Sequence, residues 1–383
     1  MSKYAIVVVG YKRTESITRL LKSLGNADYK NDNVDLIISI DYSGNNNVEN
    51  VANDFKWEFG KKIVVAHSKQ LGLRNHILKC GDYLEDYDAI AVLEDDIFVS
   101  PNFYNYMVQA VDFYKDDDNI AGISLYSHLW SEYINRPFIP DKSKYDVFFM
   151  QYAQSWGQIW MKRQWFSFKN WYEKNNSQIK EQSDIPSNVT NWPETSWLKY
   201  HIKYCVDNNK YFVYPYVSLS TNFTEIGQHN MFKSTTYQVP LMNDISNDYK
   251  FISFIDANNS IIYDAFFERK GLGKIVGVDD NELCVDLYGG KSKKLYKKYL
   301  LSSEKKNFKI IKSYALELKP HETNIILDIQ GDDIFLYDTS ISDNNKDIKD
   351  TDIKKWFYDE KNNNYRLMAK VLLRRIISRF KKV

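Results

Sequence analysis

Two rhythms of apolar positions alternate over the first third of the chain. Ala5-Ile-Val-Val-Val9 is an unbroken apolar run, the pattern of a strand buried on both faces. After it, Thr14 can cap a helix in which Ile17, Leu20, Leu21 and Leu24 share one stripe, and Gly25-Asn26 stops it. The alternation then repeats. Strands are expected over 34–40, 63–66, 89–93 and 120–127, with helices over 47–56, over 74–84 and after Pro101. Such repetition predicts an α/β fold, a mostly parallel sheet with helices on both faces.

The rhythm changes after residue 130. Helical spacing appears near 162–171 and 194–206, a strand near 211–214, and a polar, loop-like stretch over 221–229. Residues 1–130 and 131–247 are therefore read as two halves of one domain. From 248 to 342 a smaller α+β module is expected, with a helix near 261–270 and strands near 282–288, 308–318, 324–327 and 334–337. A polar linker opens the final segment, 343–383, which continues as a helix. In it Leu367, Met368, Val371, Leu372, Ile376 and Phe380 recur at helical spacing among seven Lys or Arg and no acid in the last twenty residues. A basic amphipathic helix of this kind suits an anionic membrane surface. Docking on its own protein or on a second copy is the alternative, so self-association stays open.

Composition narrows the classes. The 383 residues carry 51 basic and 50 acidic side chains, a balance that speaks against a general nucleic-acid binder. Gly at 15 and Pro at 8 exclude a largely disordered chain. Three distant cysteines form no disulfide or zinc pattern and point to a reducing, cytoplasmic setting. No signal peptide and no membrane span is expected.

Ligands of open parallel sheets sit beyond the C-terminal strand ends. Those ends lead into Gly10-Tyr11-Lys12-Arg13, Asp41, Gly72-Leu73-Arg74 and Glu94-Asp95-Asp96. Three adjacent carboxylates at the end of a buried strand repel one another and need a counter-charge. Mg²⁺ or Mn²⁺ supplies it, with phosphate oxygens and water completing the shell; a solvated acidic turn is the alternative. Arg13 and Arg74 match a diphosphate. Asp41 suits a nucleobase N–H or an ordinary turn.

These residues, with Ser155-Trp-Gly157, Ser196-Trp197 and Gly227-Gln-His229, resemble GT-A fold glycosyltransferases over roughly residues 1–240. The family 2-like bacterial enzymes and the N-acetylglucosaminyltransferase I group, with its Glu-Asp-Asp motif, are the closest in pattern. The resemblance implies a hexosyl or N-acetylhexosaminyl transfer from a nucleotide sugar, UDP by preference, to a glycan or lipid-linked glycan hydroxyl. It also implies an inverting course, a role in bacterial surface polysaccharide such as capsule, and a place at the inner face of the membrane. It puts Tyr11, Arg13 and Arg74 near the nucleotide, Asp41 on the base, Glu94 at the donor sugar, Asp95 at the ribose, Asp96 on the metal and His229 on a closing loop. Trp156 and Gly157 would line the acceptor site. The resembling group carries an aspartate where this chain has Ser196, so the base falls to Glu194 or Glu225, either of which also suits a helix cap or loop. Seven of nine tryptophans fall between Trp130 and Trp197. Stacking on sugar and burial in the core both account for them. His67, His76, His128, His201 and His321 show no ligand spacing. A sugar nucleotidyltransferase is the first rival, disfavoured by the single glycine in 10–13; a non-catalytic glycan-binding scaffold is the second.

Overall fold

The computed structural model describes residues 2–179, 182–223, 235–245, 248–344 and 352–359, together with 369, 372, 373 and 376. In chain order the strands of the first half are β1 (Tyr4–Gly10), β2 (Asp35–Ile40), β3 (Lys62–Ala66), β4 (Ala89–Glu94), β5 (Ile97–Val99) and β6 (Ile120–Ser124). The second half adds β7 (Trp130–Ser131), β8 (Arg136–Pro137), β9 (Val147–Met150), β10 (Gln158–Met161), β11 (Tyr211–Pro215), β12 (Ser220–Asn222) and β13 (Ile262–Tyr263).

Among the described residues, nine of these form one sheet in the order β13-β9-β11-β6-β10-β4-β1-β2-β3. The pairs β3–β2, β2–β1, β1–β4, β6–β11 and β9–β13 are parallel. Strand β10 runs antiparallel between β4 and β6, and β9 antiparallel to β11. The expected mostly parallel α/β sheet with flanking helices is therefore present. The apolar runs explain its centre: every residue of β1 and β2 is buried. The helix Thr14–Gly25 lays Ile17, Leu20, Leu21 and Leu24 against the sheet. Each such aliphatic side chain contributes roughly 1.5–3 kcal/mol by leaving water.

Strand β13 corrects one expectation. The stretch 261–270 is not a helix: Ile262–Tyr263 extends the large sheet, and a turn follows. Asp264 is the physical cause. Its Oδ1 accepts the backbone N–H of Phe266 at 2.8 Å and of Glu268 at 3.0 Å, a local turn that competes with helical bonding. The boundary of the large sheet accordingly lies beyond 263 rather than at 248.

The C-terminal module has its own four-stranded sheet. It comprises β14 (Leu283–Asp286), β15 (Tyr299–Ser302), β16 (Phe308–Tyr314) and β17 (Ile334–Ser342), in the order β14-β15-β17-β16. Its core gathers Leu272, Leu287, Leu301, Leu316 and Ile325. The stretch 324–327, expected as a strand, lies in a helix, His321–Ile326, that follows Pro320. A proline at a helix start loses no hydrogen bond there. Half-buried ion pairs, Lys291 with Asp264 and Arg269 with Asp141, sit where the module meets the large sheet. No helix among the described residues is long and apolar enough to cross a membrane. Most of the tail lies outside the described residues; Leu372, Leu373 and Ile376 within it are exposed.

Candidate functional site

The parallel strands β1, β2 and β4 end side by side, so their following loops share one edge of the sheet. Strand β4 stays buried through Leu93 and emerges at Glu94, which places Glu94, Asp95 and Asp96 at that edge. The loop after β1 brings Arg13 across from 82 positions away. Its guanidinium donates to Asp95 and lies 3.2 Å from Asp96. Asp95 is nearly covered, at 7% side-chain exposure, whereas Asp96 keeps 26%. Burial works against the Arg13 charge, but the two aspartates hold it firmly protonated.

Three carboxylates crowd the same edge beside Arg13. Glu94 shows the consequence. Burial, then the charges of Asp96 and Asp95, push its carboxyl up to about 8, against the pull of Arg13 and of a hydrogen bond from Trp197. That bond ties β4 to the buried Trp197 just before the helix Leu198–Asp207. Among the described residues no group of three His, Cys, Asp or Glu side chains is arranged to hold a metal ion unaided. Clustered carboxylate oxygens are the donor type that Mg²⁺ and Mn²⁺ take, with phosphate oxygens completing the shell.

The other expected residues take more specific places. Asp41 is buried and accepts backbone N–H groups through both oxygens: Tyr42 at 2.9 Å and Leu71 at 2.7 Å on Oδ1, Gly72 at 2.9 Å on Oδ2. It clamps the 71–72 turn against the end of β2. Gly72 holds φ +76 there, a left-handed conformation that favours glycine. Tyr11 is half-buried, and its hydroxyl accepts from Gln70 at 3.1 Å.

Arg74 departs from the expectation that it reaches for a nucleotide. Its three nitrogens donate to the Tyr172 hydroxyl at 2.6 Å, the Glu194 carbonyl at 3.0 Å and the Asn176 carbonyl at 2.9 Å. Its guanidinium also stacks 4.1 Å from the Tyr200 ring. It therefore joins the helix Leu73–Cys80 to the second half. Glu194 belongs to the same clasp. Its two oxygens accept from Lys199 and from the Tyr200 hydroxyl, each at 2.7 Å, and these bonds lower its pKa. Such a carboxylate is a poorer base than an ordinary glutamate. Glu225 and His229 lie outside the described residues.

Trp156 and Gly157 sit on the loop before β10. Trp156 is half-buried, 4.7 Å from the Tyr126 ring and stacked at 5.4 Å on Tyr237. Gly157 takes φ +103, and a Cβ there would lie 2.9 Å from Ser220 Oγ, so only glycine lets the loop press against β12. Trp160 and Trp165 stack on each other at 3.9 Å in the core, fully buried. Sequence reasoning missed Glu132. It is half-buried, and burial alone raises its carboxyl to about 7. A glutamate in a tryptophan- and tyrosine-rich stretch was its only signal.

A family model described as glycosyl transferase family 2 matches residues 5–180. The family 2-like part of the resemblance is thereby supported; the N-acetylglucosaminyltransferase I group is not singled out. No curated protein matches the chain. Among solved structures, a mannosyltransferase from Pyrobaculum calidifontis in complex with GDP-Man and Mn²⁺ is 12% identical, over 49% of this chain and 50% of that one, with TM-score 0.30. S. aureus TarS 1–349 in complex with UDP-GlcNAc is 12% identical over 59% and 60%, with TM-score 0.37. GalNAc-T7 with UDP, GalNAc and Mn²⁺ is 12% identical over 62% and 45%, with TM-score 0.42. The chain spans about half the length of these structures.

Proposed function

We propose that this protein is a metal-dependent glycosyltransferase that moves a sugar from a nucleoside diphosphate, UDP in the first instance, to a hydroxyl of a glycan acceptor. The observation that carries this reading is the carboxylate cluster Glu94-Asp95-Asp96, with the Arg13 guanidinium against two of its members. It stands at the C-terminal edge of the sheet, within the stretch matched by the glycosyl transferase family 2 model.

Asp96, the more open of the two aspartates, would hold the divalent cation, and Asp95 with Arg13 would fix its position. When bound, the cation supplies Lewis-acid neutralisation of the diphosphate. The chain's own residues do the rest. Arg13 keeps two carboxylates aligned and offers a guanidinium edge to phosphate oxygens. Glu94, beside them at the end of β4, would face the donor sugar. Asp41 shapes the 71–72 turn into a wall for the nucleotide. Arg74 and Glu194 lock the donor half to the acceptor half, so that the two substrates meet at a fixed distance. Trp156 offers an indole face to the apolar side of an acceptor sugar. Inversion at the transferred carbon, a setting in bacterial surface polysaccharide and a peripheral place at the inner face of the membrane complete the reading. The exposed Leu372, Leu373 and Ile376 make the basic tail its candidate membrane contact.

The test is a thermal-shift screen of nucleotide sugars with and without Mn²⁺, followed by UDP release for the wild type and Asp96→Ala. The expected result is Mn²⁺-dependent stabilisation and turnover in the wild type, lost in Asp96→Ala while its melting temperature without Mn²⁺ is kept. Full activity in Asp96→Ala would sink the metal assignment, and no response to any nucleotide sugar would sink the enzyme reading.

A further inference from the structure

Two of the histidines meet on one hydroxyl. Ser39 is buried in β2. His67 Nε2 lies 3.2 Å from its Oγ, and His76 Nε2 lies 2.8 Å from the same atom. The two rings stand edge to face with centres 5.3 Å apart. His76 is buried and His67 half-buried. Burial lowers the pKa of both imidazoles, so both are neutral at pH 7. A serine hydroxyl has one proton to give and lone pairs to accept with. It therefore donates to one ring and accepts from the other, and the three side chains form a single bridge.

The positions of the histidines give this bridge its meaning. His67 is the first residue after β3, and His76 stands in the first turn of the helix Leu73–Cys80. Between them runs the loop that carries Gln70, Leu71, Gly72 and Arg74. Both histidines are also tied through their backbones: His67 N donates to the Ile40 carbonyl and His76 N to the Gly72 carbonyl, each at 2.9 Å. Asp41, two residues beyond Ser39, takes the amides of Leu71 and Gly72 at 2.7 and 2.9 Å. The end of β2 thus holds the loop twice, at its base through Ser39 and at its middle through Asp41.

The loop in turn reaches the acidic edge. Gln70 Nε2 donates to the Tyr11 hydroxyl at 3.1 Å, and Tyr11 precedes by two residues the Arg13 that contacts Asp95 and Asp96. Core packing does not fix this reach, because Ser68, Lys69 and Gln70 are exposed and polar. An exposed loop without apolar anchors keeps one shape only through its hydrogen bonds. The bridge at its base is the part of that bonding that closes the loop on itself.

We infer that His67 and His76 are positioning residues, which through the Ser39 hydroxyl hold the 67–76 loop in the shape that receives the donor nucleotide. This rests on the glycosyltransferase reading. The histidines touch neither the acidic cluster nor its Arg13. They act through the loop, by keeping the Leu71 and Gly72 amides on Asp41 and Gln70 beside Tyr11. Their loss therefore weakens donor binding and leaves the transfer step itself in place, a change in KM without a matching change in kcat.

The experiment uses the full chain in four forms: wild type, His67→Ala, His67→Gln and Ser39→Ala. His67→Ala is the principal variant, because a half-buried loop residue can be truncated without disturbing β2. The glutamine amide can reach the place of the imidazole Nε2 and restore a bond to Ser39. Backbone hydrogen exchange over 68–73 is read first, without ligand. Donor KM and kcat follow from UDP release with Mn²⁺ from UDP-GlcNAc, UDP-Glc and UDP-Gal. Expected in His67→Ala and Ser39→Ala is exchange about tenfold faster over 68–73. Donor KM should rise about five- to tenfold with kcat within about twofold of wild type, and His67→Gln should regain most of both losses. Unchanged exchange in His67→Ala overturns the inference. So does faster exchange with an unchanged donor KM, a fall confined to kcat, or a glutamine variant no better than alanine. A wild type that binds no nucleotide sugar overturns the glycosyltransferase reading and the donor role with it, whereas normal donor binding with unchanged exchange overturns this inference alone.

Discussion

Removing Arg13 tests the electrostatic core of the site without any substrate. In Arg13→Ala the cluster Glu94-Asp95-Asp96 loses the guanidinium that contacts Asp95 and Asp96. Breaking a buried ion pair by truncating one partner costs about 3–5 kcal/mol. Here Asp95 is almost covered at 7% exposure, but Arg13 keeps 31% and Asp96 26%, so solvent screens part of the loss. A cost of about 2 kcal/mol follows, or a fall of roughly 4–6 °C in melting temperature for a unit of this size. Urea unfolding at 50 and 500 mM NaCl is the assay. The variant should regain part of its stability at high salt, because the residual effect is carboxylate repulsion. Asp96→Asn in the same background should relieve that repulsion. The double-mutant cycle should then show a coupling of about 1 kcal/mol or more. A melting temperature within 1 °C of wild type, or additivity within about 0.3 kcal/mol, would refute the claim that Arg13 neutralises this cluster.

Further outcomes follow from other parts of the structure. Gly81→Ala places a Cβ 2.0 Å from the Trp165 ring, which cannot retreat because it is stacked on Trp160 at 3.9 Å; urea unfolding should register a loss of about 2–3 kcal/mol, and an unchanged midpoint would show that the pair is not rigid. Arg74→Ala removes three hydrogen bonds and a ring stack, so hydrogen exchange over 171–200 should quicken about tenfold, equivalent to ~1.4 kcal/mol, and unchanged protection would count against the clasp. Stability should rise from acid pH and peak at roughly pH 6.5–7, because four histidines outweigh two glutamates below that. Burial lowers the histidines His128, His201 and His321 to about 3 and His76 to about 4, and their contribution is lost as pH falls below the unfolded value near 6.5. Burial raises Glu132 and Glu322 to about 7, and their contribution is lost as pH rises from about 4.5 toward 7. Below about pH 4.5 the raised glutamates cease to oppose the histidines, and the slope should reach about 3–4 kcal/mol per pH unit near pH 4; equal urea midpoints at pH 3.5 and 6 would contradict this.

The sequence alone determined the first half of the large sheet. Strands β1, β2 and β4 were legible because a strand buried on both faces must be apolar at every position, and the first polar residue after it must mark the sheet edge. That is why Arg13, Asp41 and Glu94-Asp95-Asp96 could be assigned to one edge before any contact was known. Where polar side chains chose their partners was decided only in three dimensions. Arg74 has the chemistry of a phosphate ligand, yet Tyr172, Tyr200 and two carbonyls from the second half claim its donors. Asp41 carries the same carboxylate whether it holds a base or a turn, and the approach of the 71–72 backbone settles that. Strand β13 needed a partner in β9, more than a hundred residues earlier, and nothing local in 261–270 announces it. Glu132 is the clearest case. Its altered proton affinity comes wholly from burial among rings distant in sequence, and desolvation is a property of the assembled neighbourhood, which no single residue type can signal.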